Sequence, residues 1–256
     1  MPTATSLLAD ALRTTAPTPR YPARSALAIG TVGRIGEALI NSLLEHPDYA
    51  TVHVAVEAPL RSTLPRLRPW RIDPNALVRQ DSVRQDSVRQ ADASGIALPP
   101  TDDVYCCVDG SRSYFGRDRA YFPVPAQLVP ALARLAARSG ARRLILLSPL
   151  PAHLQPSAPA GGAMHVRELE LLGLGFETLV ILRPTTDYAT NCGNALARLV
   201  AWGAKAVMEI VIPQSLQPLR PRQIAQAAIH AATLGPGVHM IGGARIARLA
   251  PDQRRR

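Results

Sequence analysis

The stretch Ala26-Leu-Ala-Ile-Gly-Thr-Val-Gly-Arg-Ile-Gly-Glu-Ala-Leu-Ile40 limits what this chain can fold into more than any other. An apolar run from Ala26 to Ile29 breaks at Gly30. Glycine recurs at Gly33 and Gly36, and Ile35, Leu39, Ile40, Leu43 and Leu44 follow at helical spacing. A short, wholly apolar run suits a strand buried on both faces, and the 3.6-residue period suits a helix laid on it. The stretch therefore reads as a buried parallel strand, a tight turn and a helix. Gly30 permits the turn, Gly33 lets backbone approach a ligand, and Gly36 lets helix and strand pack closely. The helix N-terminus brings free N–H groups and the positive end of its dipole, which suits a pyrophosphate. The expected cofactor contacts are Gly30, Thr31, Val32, Gly33, Arg34, Ile35 and Gly36, and the expected ligand is NAD or NADP.

The rest of the chain repeats this alternation. Strands are predicted over 25–29, 51–56, 104–108, 143–147 and 178–182, with a short one over 209–212. Helices are predicted over 34–46, 124–139, 164–174, 192–207 and 221–234. Buried strands separated by helices predict an α/β fold of Rossmann type, a doubly wound, mainly parallel sheet with helices on both faces. Glu57 closes the second strand, where an acid accepts from adenosine ribose hydroxyls. Arg61 nearby suits a 2′-phosphate instead, so NAD is only slightly favoured over NADP.

Between 59 and 101 the helix and strand signals fade. Val-Arg-Gln-Asp-Ser runs from Val78, repeats from Val83 and begins again at Val88. A period of five sets successive valines about 140° apart on a helix, so no apolar face forms. The repeat reads as a duplication within an irregular loop over 75–100. Residues 1–24, with Pro17, Pro19 and Pro22, read as a flexible arm, 25–249 as one nucleotide-binding domain, and 250–256 as a basic tail.

The formal charge of +10 invites a nucleic-acid reading. Lys205 is the single lysine, however, and the arginines are scattered without interleaved aromatics, so nucleic acid is not the expected partner. Cys106, Cys107 and Cys192 give neither a disulfide framework nor zinc spacing, and no metal is expected. No apolar run reaches the ~20 residues of a membrane span, so the expectation is a cytoplasmic protein without a membrane partner.

Several segments resemble the atypical short-chain dehydrogenase/reductase family, in particular its Tat-interacting oxidoreductase-like subgroup. They are Gly30-x-x-Gly33-x-x-Gly36, Asp103-Val-Tyr-Cys-Cys-Val-Asp-Gly-Ser-Arg112, Arg142-Arg-Leu-Ile-Leu-Leu-Ser148, Gly175-Phe-Glu-Thr-Leu-Val-Ile-Leu-Arg-Pro184 and Pro218-Leu-Arg-Pro-Arg-Gln-Ile-Ala225. They stand in the family's order and span about 25–249. The resemblance implies a dinucleotide cofactor, adds Val108 and Pro184 to its contacts, and places Ser148 at the position of the active-site serine.

It also exposes a departure. The family's tyrosine, with a lysine four residues on, would fall near Ala160 and Met164, and no Tyr-x-x-x-Lys occurs anywhere in the chain. That pair handles the proton and holds the nicotinamide ribose. Its loss favours a nucleotide-binding sensor or scaffold, with a protein partner or a second copy of the chain, over an ordinary dehydrogenase. The alternative is a divergent oxidoreductase acting on an unidentified small molecule, with Ser148 and a substitute proton donor such as His165.

Overall fold

The computed structural model describes residues 24–60, 63–73, 76–77, 97–108, 120–148, 166–184 and 219–250. Seven strands form one sheet: β1 (Arg24–Ile29), β2 (Tyr49–Val56), β3 (Leu67–Arg71), β4 (Asp103–Cys107), β5 (Arg143–Leu147), β6 (Thr178–Arg183) and β7 (Gly237–Gly242). Their order is β3-β2-β1-β4-β5-β6-β7, and every neighbouring pair is parallel. The helices are α1 (Gly33–Glu45), α2 (Val129–Arg138), α3 (Val166–Leu172), α4 (Pro221–Ala231) and α5 (Gly243–Leu249).

Successive strand residues point to opposite faces, so apolar runs fill two cores at once. Ala26, Ala28, Tyr105, Cys107, Ile145, Leu147, Val180 and Leu182 meet Leu39 and Leu43 of α1, Ile224 and Ala228 of α4, and Ile246 of α5. Leu27, Ile29, Val104, Cys106, Leu144, Leu146 and Ile181 meet Leu132, Leu135 and Ala136 of α2, and Leu171 of α3. Both faces are covered, and the strand order reverses between β1 and β4. This is the doubly wound Rossmann-type α/β arrangement, whose crevice opens beyond the carboxyl ends of the strands at that reversal.

The sequence reading differs from the fold at several places. The 59–101 stretch contains β3, whose Leu-Arg-Pro-Trp-Arg composition hides it. Pro69 is tolerated because β3 pairs only with β2 and stands at the sheet edge. The chain does not finish with the helix at 221–234: α4 ends at Ala231, and β7 and α5 follow. The helix expected from Val124 starts at Val129, after a 3₁₀ turn over Ala126–Leu128. Leu77 and Leu98, at the two ends of the expected loop, are buried in the core with Trp70. The helix expected over 192–207, the strand over 209–212, the five-residue repeat, the 1–23 part of the arm and the 251–256 part of the tail lie outside the described residues.

One polar cluster closes the amino end of the sheet. Arg24, Tyr49, Asp103 and Arg143 are the first residues of β1, β2, β4 and β5. Asp103 is fully buried and accepts from Tyr49 Oη at 2.7 Å, Arg143 Nη1 at 2.8 Å and Arg24 Nη1 at 3.4 Å. Tyr49 gives its single proton to this carboxylate, so Tyr105, whose hydroxyl lies 2.7 Å away, donates to Tyr49. Burial, together with the neighbouring Tyr105 and Asp103, raises the Tyr49 pKa far above the phenol range. Arg24 also reaches Asp48 at 3.0 Å. A buried carboxylate is tolerated only when paired in this way.

Candidate functional site

The carboxyl ends of β1, β2, β4, β5 and β6 bring together most of the residues expected from sequence. β1 stops at Ile29 and Gly30 turns the chain with φ +75°. A side chain there would overlap the Cys107 carbonyl oxygen and lie 3.1 Å from Val124 Cγ2, so the turn needs glycine for space as well as for conformation. Gly33 has φ +67°, and nothing stands within 4 Å of where its side chain would begin. Gly36 is the reverse: a Cβ would overlap the Thr31 backbone, lying 2.5 Å from its Cα. The first turn of α1 therefore rests on the loop that precedes it.

The N-terminus of α1 is bare. Val32 occupies the cap position in extended conformation (φ −90°, ψ 151°), with no side-chain hydrogen bond and no acid in the first turn. Val32 thus offers the leading N–H groups no side-chain acceptor. Arg34, the second residue of α1, is exposed, while Ile35 is half-buried against the core. Thr31 is buried to 1% exposure and its Oγ1 has no hydrogen-bond partner.

Glu57 follows β2 directly and is exposed at the same end of the sheet; partial burial raises its carboxyl pKa. Val108 follows β4, and its N–H donates to Leu147 O at 2.8 Å. Ser148 follows β5, half-buried, with its N–H donating to Leu182 O at 2.9 Å. Pro184 follows β6 and is buried. Arg61 and His165 lie outside the described residues.

One component was not foreseen. Ala120–Val124 forms a strap over the carboxyl ends of the central strands. The Glu57 N–H donates to Ala120 O at 2.9 Å, the Phe122 N–H donates to Ala55 O at 3.2 Å, and Val124 bridges Val108. The strap thus runs from the end of β2 to the end of β4, past Gly30. Burial alternates along it, with Phe122 and Val124 inward and Tyr121 and Pro123 half-buried, but Ala-Tyr-Phe-Pro-Val has no apolar–polar alternation that would mark it in the sequence.

The donor set fits a phosphate group in three respects. The helix end is uncapped, the space over Gly33 is open, and a buried hydroxyl without a partner lies in the same loop. Among the described residues no three His, Cys, Asp or Glu side chains converge to hold a metal, and no helix is long and apolar enough to cross a membrane.

No protein-family model matches the sequence, and no curated protein does either. Among solved structures, the chain is similar to the Bordetella bronchiseptica enzyme WbmH in complex with NAD+, at 12% identity and a TM-score of 0.49, over 85% of this chain and 75% of that one. It is similar to a short chain dehydrogenase family protein from Francisella tularensis, at 14% identity and a TM-score of 0.44, over 88% and 99% of the two chains. It is also similar to a UDP-N-acetylglucosamine 4-epimerase from Bacillus cereus, at 13% identity and a TM-score of 0.47, over 85% and 78%. Similarity at this level assigns no activity, and the fold assignment rests on the strand order itself.

Proposed function

We propose that this protein binds NAD or NADP across the carboxyl end of the sheet, as a nucleotide-binding sensor or scaffold of the atypical short-chain dehydrogenase/reductase kind. The observation that carries the reading is the uncapped α1 N-terminus beside the open position over Gly33, at the crevice between β1 and β4. Glu57 at the end of β2 favours NAD slightly over NADP. The missing Tyr-x-x-x-Lys removes the usual proton relay, so little turnover of ordinary alcohols, ketones or sugar nucleotides is expected. A cytoplasmic setting and a protein or self partner belong to the same reading.

Calorimetry with NAD and NADP on wild type and Gly33→Asp tests it. The aspartate places bulk and negative charge where the pyrophosphate would lie, so affinity should collapse; unchanged affinity refutes the site. A second reading, a divergent oxidoreductase, draws on Ser148 standing half-buried at the end of β5. Robust carbonyl reduction with NADH or NADPH that His165→Ala abolishes would establish it in place of the sensor.

A further inference from the structure

The carboxyl rim of the sheet continues past the β1–β4 crevice, and three neighbouring strands end there in unlike residues. Ser148 follows β5, Arg183 ends β6 and Gly242 ends β7. Leu147 lies opposite Leu182, and Arg183 lies opposite Gly242. The Ser148 N–H donates to Leu182 O at 2.9 Å, which carries the parallel register one step further, to Ser148 beside Arg183. The residues just before these three, Leu147, Leu182 and Ile241, all sit in the core under α1, α4 and α5. Side chains alternate along a strand, so Ser148, Arg183 and Gly242 face the opposite side, with Leu146 and Ile181 of the core under α2 and α3. Adjacent strands stand ~4.8 Å apart. A hydroxyl, a guanidinium and a glycine therefore follow one another along one face.

Each supplies something different. Arg183 is half-buried, which strengthens its pull on an anion compared with a cation in bulk water. It already has a contact within the protein, and a guanidinium with five donors in a rigid fork keeps capacity for a second. Ser148 is half-buried too, and its hydroxyl can donate one hydrogen bond. Gly242 supplies room. Its backbone is extended (φ −85°, ψ 172°), a conformation open to any residue. No described atom stands within 4 Å of where its side chain would begin. The glycine thus leaves space directly beside the arginine.

We propose that Arg183, Ser148 and the space over Gly242 form a subsite for a small carboxylate ligand. The guanidinium takes the carboxylate in paired hydrogen bonds, and the Ser148 hydroxyl donates to a further oxygen of the same molecule. The subsite lies on β5, β6 and β7, beyond the crevice assigned to the nucleotide. It stands on strand register and side-chain chemistry, and goes beyond the nucleotide reading without depending on it.

The test titrates pyruvate and its neutral ester methyl pyruvate against wild type, Arg183→Gln, Ser148→Ala, Gly242→Asp and Gly242→Ser, with thermal melting of each protein. Wild type should bind pyruvate at least tenfold more tightly than the ester. Arg183→Gln should weaken pyruvate about ten- to hundredfold, and Ser148→Ala about three- to tenfold. Gly242→Asp keeps Arg183 in place and sets a rival carboxylate beside it. Aspartate also suits the cap position of α5 that Gly242 occupies, so this variant should melt no lower than wild type yet lose pyruvate. Gly242→Ser, small and uncharged, should bind within threefold of wild type. Should Arg183→Gln fail to fold, Gly242→Asp decides the matter. Wild type that binds pyruvate no better than the ester, or binds neither, overturns the proposal. Wild-type affinity in Gly242→Asp, in folded Arg183→Gln or in Ser148→Ala overturns it as well, as does an equal loss in Gly242→Ser and Gly242→Asp. Calorimetry of wild type with NAD and ADP is scored separately, so failure of the nucleotide site and failure of the carboxylate subsite are told apart.

Discussion

Alanine substitution at the three loop glycines separates their roles in the protein without ligand. At Gly33 the methyl meets open space, and only the left-handed backbone resists it. That conformation costs a side chain ~1–2 kcal/mol, partly offset by ~0.4–1 kcal/mol from a stiffer unfolded chain. The net loss of about 1 kcal/mol corresponds to a Tm drop of roughly 2–4 °C in a chain of this size. At Gly36 the backbone is helical and alanine alone would be favoured by about 1 kcal/mol. The new Cβ, however, would lie 2.5 Å from Thr31 Cα, and two backbone segments have no rotamer to change. Relief requires α1 to retreat about 1 Å to reach normal contact, which loosens the packing of Leu39 and Leu43 against Ile224 and Ala228. Overpacking costs ~1–3 kcal/mol, and an overlap of backbone with backbone stands at the upper end of that range, so a net loss of about 2 kcal/mol remains after the helical gain. Gly30→Ala combines both penalties and should be the most damaging. Differential scanning fluorimetry without nucleotide gives the expected order of Tm: wild type, Gly33→Ala, Gly36→Ala, Gly30→Ala. A Gly36→Ala protein that melts like wild type, or above Gly33→Ala, would refute the close approach of α1 to its own loop.

Two further outcomes probe the core. Arg143→Met leaves the buried Asp103 carboxylate with Tyr49 and the longer Arg24 contact, so urea unfolding should show a loss of about 3 kcal/mol; a loss below about 1 kcal/mol would show that Tyr49 and Arg24 suffice to hold the carboxylate. The Cys106 thiol is pushed up to about 12 by burial from an ordinary value of 9.0. The folded state thus holds that proton more tightly, and its contribution is complete below pH 9.0 and lost as pH rises toward 12. Between pH 8 and pH 10.5, wild type should lose urea resistance faster than Cys106→Ala; parallel curves would show that Cys106 ionises freely in the folded protein.

The site loop was legible because its physics is local. One apolar run, three glycines and one helical period lie within 15 consecutive residues, and the structure gives Gly30 and Gly33 positive φ and sets Gly36 against Thr31. The central strands were legible because burial on both faces makes them wholly apolar. The sheet edges were not. β3 carries Arg68, Pro69 and Arg71, and β7 has only Val-His-Met-Ile between Gly237 and Gly242, with Val238 exposed. Edge strands are half solvated, so neither strong alternation nor a long apolar run marks them. The clamp around Asp103 was hidden for another reason. Its members are separated by tens of residues and meet only when β1, β2, β4 and β5 come into register. Val124, the last residue of the strap, was absorbed into the helix expected over 124–139 because Val124 and Leu128 share helical spacing with Leu132, a coincidence that Pro125 did not break, and Ala120–Pro123 carried no signal of their own.

The strand-first placement of Arg24, Tyr49, Asp103 and Arg143 has an evolutionary consequence. The fasteners of the sheet and the rim at its carboxyl end are separated by the full length of strands of five to eight residues, ~17 Å or more. Substitutions that far apart, with no shared partners, act almost independently. A lineage carrying this chain can therefore lose or acquire reactive side chains along the rim while the fasteners stay unchanged. Chemistry can be discarded, or regained, at little risk to the fold.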